Sequence, residues 1–332
     1  MILKVLVIRF SSIGDIVLTS PVIRCLKNQI PDIEIHVLTK PRFKSIYEES
    51  PYISRVMTLD GHFSTMIRRL KVERYDFVAD LHNNLRSWRV RLALRVRSKG
   101  FPKLNLRKYL LVRFKINLLP DIHIVDRYFK AVRPLGVIND GAGLDFFIAE
   151  RDRMKITDLP ESFRQGYYAF VIGGNHFTKI LPAHQIVRVI ERLDRPVVLL
   201  GGKEDMERGD AIQSMTGSKT WDSCGTFSLG QSAWLIEHAL GVITNDTGLM
   251  HIAAALHKPI VSVWGNTVPE FGMYPYLLDK PERMAIIEIK GLSCRPCSKI
   301  GYPACPKGHF DCMERLSPNE IAAQLHKVVL GK

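Results

Sequence analysis

The chain has 332 residues, of which 46% are hydrophobic, and a formal net charge of +14. This length and composition predict two globular domains of ordinary size, each able to bury its own core. No apolar run reaches the roughly 18 residues of a membrane span. The opening residues, MILKVLVIRF, are interrupted by charge too early for a signal peptide and predict a first strand instead. We therefore expect a cytoplasmic protein.

The positive charge is concentrated in the first half of the chain. Residues 1–150 hold 26 Lys+Arg and 14 Asp+Glu, whereas residues 151–332 hold 21 and 19, so the net charges are +12 and +2. Residues 86–115 include eleven basic side chains and no acidic one. Such a block indicates an anionic partner: a nucleic acid, an acidic membrane surface, or a phosphorylated or carboxylated substrate. Alternatively, the block is an ordinary basic surface exposed to solvent. Few aromatic residues lie among the basic ones, so the sequence gives little support for stacking on nucleic-acid bases.

The first half alternates apolar runs with amphipathic segments. The predicted strands cover residues 3–10, 33–39 and 75–82. A glycine-containing turn at 11–15 follows the first strand, and a helix over 16–29 is expected to kink or restart at Pro21. Strands that alternate with helices predict a parallel α/β sheet.

The second half repeats this alternation. The predicted strands cover residues 167–174, 195–202, 240–246 and 258–265, and the predicted helices cover 182–193, 228–239, 249–257 and 316–331. Ser228 and Ser317 are the expected N-caps of two of these helices. Residues 151–166 are charged and lack a clear period, which indicates a boundary between two domains.

Glycine and polar residues follow several of these strands, where open α/β sheets bind ligands. The segments GGN at 173–175, GG at 201–202 and DTG at 246–248 each come at a strand end. Free N–H groups at a helix start favour an anion such as phosphate, although Asp246 or Thr247 could simply be an N-cap. The chain has no P-loop, no intact G-x-G-x-x-G and no D-x-D motif. Side-chain cations and amides must therefore replace a metal if a diphosphate binds.

Three motifs together resemble glycosyltransferase family 9, which includes the heptosyltransferases of the lipopolysaccharide inner core. They are VIRFSSIGDIVLTSPVI, TKILP, and TNDTGLMHIAAALHKPIVSVWG, which begins at Thr244. The resemblance extends over nearly the whole chain in the expected order. It implies an α/β protein of the GT-B fold, with two Rossmann-like domains facing each other across a cleft.

The resemblance also implies a division of labour between the domains. Residues 1–152 would bind the acceptor and carry the catalytic aspartate, and residues 153–166 would be the linker. Residues 167–315 would bind the nucleotide-sugar and include the cysteine-rich segment 294–312. The final helix, 316–332, is expected to cross back to the first domain.

The implied chemistry is an inverting, metal-independent glycosyl transfer. Asp15 matches the catalytic aspartate, which takes a proton from the acceptor hydroxyl, and Lys179 matches the lysine that steadies the leaving diphosphate. The implied donor contacts are Gly174, Asn175, Glu204, Asp205, Phe227, Asp246, Thr247, Gly248 and His251. For Asp15 a helix cap, and for His251 a buried structural histidine, remain open alternatives.

The acceptor side is expected in the first domain. Ser11, Ser12 and Gly14 would shape the catalytic turn, and Arg86 would contact the acceptor. An acidic acceptor, with Kdo carboxylates and lipid A phosphates at the cytoplasmic face of the inner membrane, would explain the basic first half. The protein is then expected to touch that membrane peripherally and to bind no nucleic acid.

Four of the six cysteines cluster near the C-terminus. Cys294, Cys297, Cys305 and Cys312 have the pattern C-x2-C-x7-C-x6-C, and His309 lies within it. A structural zinc site, a disulfide or redox pair, and free packed thiols all fit this spacing. Catalysis is not expected to need the cluster or any other cofactor.

The function expected from the resemblance is heptose transfer from ADP-heptose to a lipopolysaccharide inner-core acceptor. A family 9 transferase that uses another nucleotide-sugar is the first alternative. A non-enzymatic anion-binding or nucleic-acid-binding protein is the second.

Overall fold

A computed structural model describes residues 2–331. The chain divides into two compact units, the first formed by residues 2–104 and 122–147 and the second by residues 105–121 and 148–331. Among the described residues, no helix is both long and apolar enough to cross a membrane.

Strands and helices alternate along both units. The strands are β1 (Lys4–Ile8), β2 (Glu34–Thr39), β3 (Arg55–Thr58), β4 (Phe77–Asp80), β5 (Arg97–Gly100), β6 (Tyr168–Val171), β7 (Val197–Leu200), β8 (Thr220–Asp222), β9 (Gly241–Asn245), β10 (Ile260–Trp264) and β11 (Met284–Glu288). The α-helices are α1 (Ile13–Val17), α2 (Ser20–Gln29), α3 (Ser45–Glu48), α4 (Phe63–Val72), α5 (Leu85–Leu94), α6 (Asn105–Phe114), α7 (Ile124–Val132), α8 (Ala183–Glu191), α9 (Met206–Thr216), α10 (Leu229–His238), α11 (Gly248–Ala255), α12 (Asp311–Glu314) and α13 (Pro318–Leu330).

The first unit is built on a parallel sheet with the order β3-β2-β1-β4-β5. Residues 5–8 of β1 are fully buried, as a central strand covered on both faces requires. The order changes direction between β1 and β4, whose ends are in register at Ile8 and Asp80. Such a switch point opens a crevice at the carboxyl ends of the strands.

The second unit contains a parallel sheet with the order β11-β10-β9-β6-β7-β8. Its switch point lies between β6 and β9, which pair from Tyr168 with Gly241 to Val171 with Thr244. The core on one side of this sheet includes the inner faces of α8 and α13. Both units therefore have the doubly wound topology that the alternating pattern predicts.

The structure confirms most of the predicted elements. Every predicted strand is present, shortened by one or more residues at its ends, and α10 is capped by Ser228, whose side chain accepts from the Gln231 N–H. The predicted helix at 16–29 is interrupted, with α1 ending before Thr19 and Pro21 in the first turn of α2. β3, β5, β8 and β11 were not predicted: the first three are short and lack a long apolar run, whereas β11 contains the run MAII, which the sequence analysis did not single out.

The boundaries of the units differ from the predicted domains in two places. The second unit begins at Ile148 and also takes in residues 105–121, which the sequence analysis assigned to the first domain. The final helix α13 was expected to return to the first domain. It belongs to the second unit, where Leu325 and Val328 are buried in the core, so apolar burial on this sheet decided its position.

Candidate active site

The predicted site residues lie at the carboxyl edges of the two sheets. In the first unit Asp15 follows β1, and Arg86 follows the neighbouring strand β4. In the second unit Lys179 follows β6, and Asp246 follows the neighbouring strand β9. Each pair therefore flanks a switch point of its own sheet, where side chains from two strands can reach one ligand.

Both oxygens of the Asp15 carboxylate are held in place. Oδ1 lies 2.6 Å from Nη2 of Arg9, and Oδ2 accepts hydrogen bonds from the N–H and the hydroxyl of Ser12 at 3.2 and 2.9 Å. Ser12 is the N-cap of α1 and Asp15 its third residue, so the acid also belongs to a capping box. The predicted cap and the predicted base are thus compatible, because the side chain remains about one-fifth exposed.

Arg9 contacts Asp15 directly and was not singled out by the sequence analysis. Its side chain is 7% exposed, and it also donates to the carbonyls of Ser11 and Leu81 and to the hydroxyl of Tyr128. A buried guanidinium needs a charged partner, and Asp15 is that partner. An arginine inside the apolar run VLVIRF was the signal in the sequence, because a strand buried on both faces otherwise excludes charge.

The surroundings of Asp15 are electropositive. Burial, with a further contribution from the Arg9 charge, lowers the pKa of His82 to about 3. Burial and the same guanidinium also lower the pKa of Lys103. Burial is the larger cause of both shifts, and the Arg9 charge adds to it, so a further positive charge is disfavoured beside this guanidinium.

The remaining predicted acceptor residues lie on the same edge of the sheet. Ser11 lies in the turn between β1 and α1, and Gly14, which is buried, is the second residue of α1. Arg86 is exposed in the first turn of α5, whose N-cap Asn84 accepts from the N–H of Ser87 at 2.9 Å. The turn and the arginine are therefore accessible from one side of the first unit.

Lys179 and Asp246 form the centre of the site in the second unit. Lys179 Nζ lies 2.6 Å from Asp246 Oδ2, and the Thr267 hydroxyl donates to the same oxygen at 2.9 Å. Both charged side chains are less than one-fifth exposed. Thr267 follows β10 and was not predicted. Its signal was a polar NT pair directly after the buried run PIVSVWG.

The start of α11 adds backbone donors beside this pair. Thr247 is the N-cap residue and Gly248 the first residue of the helix. The Thr247 hydroxyl is buried and has no hydrogen-bond partner among residues 2–331. His251, one turn further on, is 2% exposed. A helix start next to an ammonium group is suited to bind an anion such as a diphosphate.

Asn245 fixes the position of both strand ends. Its amide nitrogen donates to carbonyls at the end of β6, at 3.1 Å for Gly173, and its amide oxygen accepts from the N–H of Leu181 at 3.2 Å. The loop that carries Lys179 is thereby joined to the strand that carries Asp246. The conformation of the site is set by this fully buried side chain.

The turn after β7 contains the two acidic residues predicted to contact the ribose, Glu204 and Asp205, and their surroundings differ. Asp205 is 3% exposed, accepts from the Gly202 N–H at 2.9 Å and pairs with Arg208 at 2.9 Å. A Cβ on Gly173 would lie 2.1 Å from its carboxylate, so this acid is packed against the neighbouring turn. Asp205 therefore has a structural role in the turn, whereas Glu204 is exposed.

Three other predicted donor residues line the same edge of the sheet. Gly174 and Asn175 follow β6, and Asn175 is exposed. Phe227 precedes α10 and packs edge-on against Trp221, with ring centroids 5.7 Å apart. Among the predicted donor residues Asn175 and Glu204 are exposed, whereas Gly174, Phe227 and the turn at 246–248 are half-buried.

The cysteine-rich segment makes hydrogen bonds to the backbone on both sides of the Lys179–Asp246 pair. Arg295, 6% exposed at its side chain, donates to the carbonyls of Gly265, Ile289 and Thr267 and pairs with Glu288 at 2.7 Å. The hydroxyl of Thr178 accepts from the Tyr302 N–H at 2.8 Å, directly before Lys179. The segment therefore holds the backbone on both sides of the Lys179–Asp246 pair.

The four clustered cysteines are free thiols. Burial and the neighbouring thiols raise the pKa of Cys312 to about 12, and the same causes raise that of Cys297. Within residues 2–331, however, the one group of three or more His, Cys, Asp or Glu ligand atoms that all lie within 4.8 Å is Glu34, His36 and Glu73. The thiol chemistry suits zinc, but the sulfur atoms are not closed around one point.

The chain is similar to known proteins over nearly its whole length. The family model described as glycosyltransferase family 9 (heptosyltransferase) matches residues 63–300. The lipooligosaccharide heptosyltransferase 2 of Haemophilus influenzae is 25% identical over 98% of this chain and 99% of its own. The structure of the E. coli ADP-heptose lps heptosyltransferase II has a TM-score of 0.75 at 20% identity, covering 99% of each chain. That of the E. coli heptosyltransferase WaaC with ADP has a TM-score of 0.69 at 21% identity, covering 98% of this chain and 100% of its own.

Proposed function

The chain belongs to glycosyltransferase family 9, and on that basis we propose that it transfers a heptose from ADP-heptose to an inner-core acceptor of lipopolysaccharide. The observation that carries the proposal is the Lys179–Asp246 pair at the switch point between β6 and β9, next to the amides of α11. The structures of the two E. coli heptosyltransferases share the GT-B fold, and one of them holds ADP.

In the proposed reaction Asp15 is the general base. Its carboxylate accepts the proton of the acceptor hydroxyl while that oxygen attacks the anomeric carbon of the heptose. The bond from this carbon to the diphosphate oxygen breaks, ADP leaves, and the configuration inverts. The support is the fixed orientation of the carboxylate between Arg9 and Ser12, since a base must be aligned with the proton it removes.

Lys179 is proposed to neutralise the charge that develops on the leaving diphosphate. The amides at the start of α11 and the free hydroxyl of Thr247 would bind the phosphate oxygens. On ADP binding the ammonium group would shift from Asp246 toward the phosphates, and Asp246 would then accept from sugar hydroxyls. Fixed cations of this kind can replace a divalent ion.

The turn contacts are proposed to select the nucleoside. Glu204 would accept hydrogen bonds from the ribose, because Asp205 is occupied by the turn. The backbone at Phe227 would line the adenine, and Asn175 would donate to a phosphate. His251 is proposed to support the sugar-binding helix from its buried position.

The acceptor is proposed to be anionic and lipid-linked. Arg9 and Lys103 supply positive charge near Asp15, and Arg86 is exposed in the first turn of α5, which follows the neighbouring strand; this charge fits a saccharide bearing carboxylates and phosphates. The enzyme would then act at the cytoplasmic face of the inner membrane.

A thermal-shift panel with ADP, UDP, GDP and CDP tests the donor assignment. A ligand that binds only the folded state stabilises it by RT ln(1 + [L]/Kd), or about 2.7 kcal/mol at 100 times Kd. We expect ADP alone to raise the transition temperature. A shift with UDP or GDP instead would overturn the heptose assignment, and no shift with any nucleotide would overturn the donor site.

We further propose that the four clustered cysteines hold a structural zinc ion. The support is the grouping of four free thiols within residues 294–312, with Cys294 Sγ 3.9 Å from His309 Nε2. Elemental analysis of the purified protein is expected to find about one zinc per chain, and the Cys297→Ser variant is expected to lose it. A wild-type protein free of zinc would contradict this proposal.

A further inference from the structure

Residues 105–118 expose an unusual number of large apolar side chains. These are Leu106, Tyr109, Phe114, Ile116 and Leu118, and each is between 49% and 71% exposed. They lie on α6 and on the loop that follows it, within 13 residues of one another. A cluster of exposed apolar side chains on a folded protein marks an interaction surface.

The segment has a fixed conformation, because its opposite face is packed. Leu111 is buried against Val268 and Phe271 of the second unit, and Val112 packs beside them. Lys115 donates from Nζ to the carbonyl of Pro296 at 2.7 Å, among other carbonyls. The exposed side chains therefore cannot turn inward without breaking these contacts.

The loop is tied back to the helix. Arg107 donates to the carbonyl of Leu118 at 3.1 Å, and the N–H of Leu119 is bonded to the Asn117 side chain at 3.0 Å. Tyr109 and Phe114 contact each other edge to face, with ring centroids 6.1 Å apart. The apolar side chains are thus presented as one surface, which we name the α6 surface: Leu106, Tyr109, Phe114, Ile116 and Leu118.

The charge of the segment identifies its partner. Residues 105–118 carry Arg107, Lys108, Arg113 and Lys115 and no acidic residue. Two copies of this surface would bring like charges together, which disfavours self-association. A bilayer with anionic headgroups offers both an apolar layer for the side chains and negative charge for the cations around them.

We propose that the α6 surface inserts into the headgroup region of an anionic membrane and holds the enzyme there. This inference rests on the proposed function, because it names the membrane contact of that lipid-linked reaction. Tyr109 and Phe114 would lie at the interface, where aromatic rings are favoured, and Arg113 would contact lipid phosphates. With no membrane-spanning helix among residues 2–331, attachment through this segment would be peripheral.

Vesicle flotation of the full chain tests the proposal. We would compare neutral phosphatidylcholine vesicles with vesicles in which roughly a third of the lipid is phosphatidylglycerol. Wild type is expected to float with the anionic vesicles and to be released by salt. The Y109S/F114S variant should bind at least about tenfold more weakly, and R113Q about fivefold more weakly.

Matched controls come from the same unit. Ile156 and Met215 are exposed apolar residues elsewhere, so I156S/M215S should bind vesicles as wild type does, and R188Q serves the same purpose for charge. Unchanged flotation of Y109S/F114S, or equal binding to neutral vesicles, would overturn the proposal. So would a wild-type dimer in sedimentation that becomes monomeric in Y109S/F114S, since the surface would then join two copies.

The rate of heptose transfer to a water-soluble acceptor, measured without lipid, tests the membrane proposal independently of the proposed function. Y109S/F114S is expected to keep that turnover while losing vesicle binding. Loss of both would show that the surface serves the reaction itself and would overturn the proposal. A wild-type protein that floats with anionic vesicles but transfers no heptose would support the α6 surface and contradict the proposed function.

Discussion

Arg9 Nη2 lies 2.6 Å from Asp15 Oδ1, so the carboxylate at the end of β1 is paired with a buried cation from the same strand end. The other oxygen is held by Ser12. The side chain is thereby prevented from rotating, and its remaining lone pairs point in fixed directions. A carboxylate held in this way is suited to remove a proton from one defined position.

The Asp15→Asn variant tests this role. An amide keeps the size of the side chain but cannot accept the proton, so turnover should fall about 10²-fold to 10⁴-fold. ADP affinity, measured by calorimetry, should remain within about twofold of wild type, because the proposed donor contacts lie in the second unit. Asp60→Asn, which alters an exposed ion pair with Arg69, is the control and should stay active. Wild-type turnover of Asp15→Asn would exclude the general base.

Lys179→Met is expected to weaken ADP binding about tenfold to a hundredfold. A hydrogen bond to a charged group contributes about 1.5–3 kcal/mol, and the substitution leaves Asp246 with Thr267 but without its cation. Titration calorimetry of ADP provides the measurement. Lys290→Met, on an exposed lysine of the same unit, should bind ADP normally. Equal affinities in the two variants would contradict the proposed phosphate contact.

Arg295→Met should destabilise the second unit and weaken ADP binding with it. The guanidinium bonds three backbone carbonyls and Glu288, and truncating one partner of a buried ion pair costs about 3–5 kcal/mol. Arg295→Lys should rescue little, since one ammonium group cannot replace a planar guanidinium. Urea unfolding measures the loss, with Arg188→Met as an exposed control. A change below about 1 kcal/mol would show that the segment does not support the site.

His82 should make the folded state less stable in acid. Its pKa is lowered to about 3 by burial and by Arg9, whereas an unfolded histidine titrates near 6.5. The stabilising effect is complete above pH about 6.5 and is lost as the pH falls toward 3, at up to about 1.4 kcal/mol per pH unit.

The His82→Phe variant isolates this contribution. Phenylalanine keeps the ring contact with Phe10 and removes Nδ1, which is buried and has no partner within the described residues. Urea unfolding between pH 7 and pH 4 should therefore give a shallower pH dependence in the variant. Identical slopes would contradict the assignment. His36, whose pKa is also lowered by burial, contributes equally to both proteins.

EDTA should leave heptose transfer unchanged. The cation proposed to face the diphosphate is the Lys179 ammonium, and no D-x-D motif occurs in the sequence. The measurement is the initial rate before and after EDTA, with elemental analysis to confirm what was removed. Inhibition that Mg²⁺ or Mn²⁺ reverses would contradict metal-independent catalysis. Slow loss of stability alone would instead fit removal of a structural ion from the cysteines.

The sequence was sufficient to predict the two parallel sheets, because long apolar runs such as VLVIRF and PIVSVWG leave little choice of structure. β5 escaped prediction, since its residues RSKG lie within the basic block and pair with β4 only through tertiary context. The membership of residues 105–121 in the second unit depends on Leu111 packing against Phe271, a contact between distant segments.

Some residues of the candidate site could be predicted from the sequence and others could not. Asp15, Lys179 and Asp246 carry motif signals, and the structure places each at a switch point of its own sheet. Arg9 and Thr267 had weaker signals, a charge inside one apolar run and a polar pair after another, and their contacts with Asp15 and Asp246 depend on where the strand ends lie. Glu204 and Asp205 are adjacent and chemically alike, so packing against Gly173 was needed to distinguish them.

Direct transfer from ADP-heptose tests the central claim. The protein would be incubated with ADP-heptose and a Kdo-bearing lipid A acceptor, and the acceptor mass and the released ADP would be measured together. We predict the addition of one heptosyl residue and an equimolar release of ADP, with no product from UDP-sugars or GDP-sugars. An unchanged acceptor with ADP-heptose, or a product formed only from another nucleotide-sugar, would contradict the account.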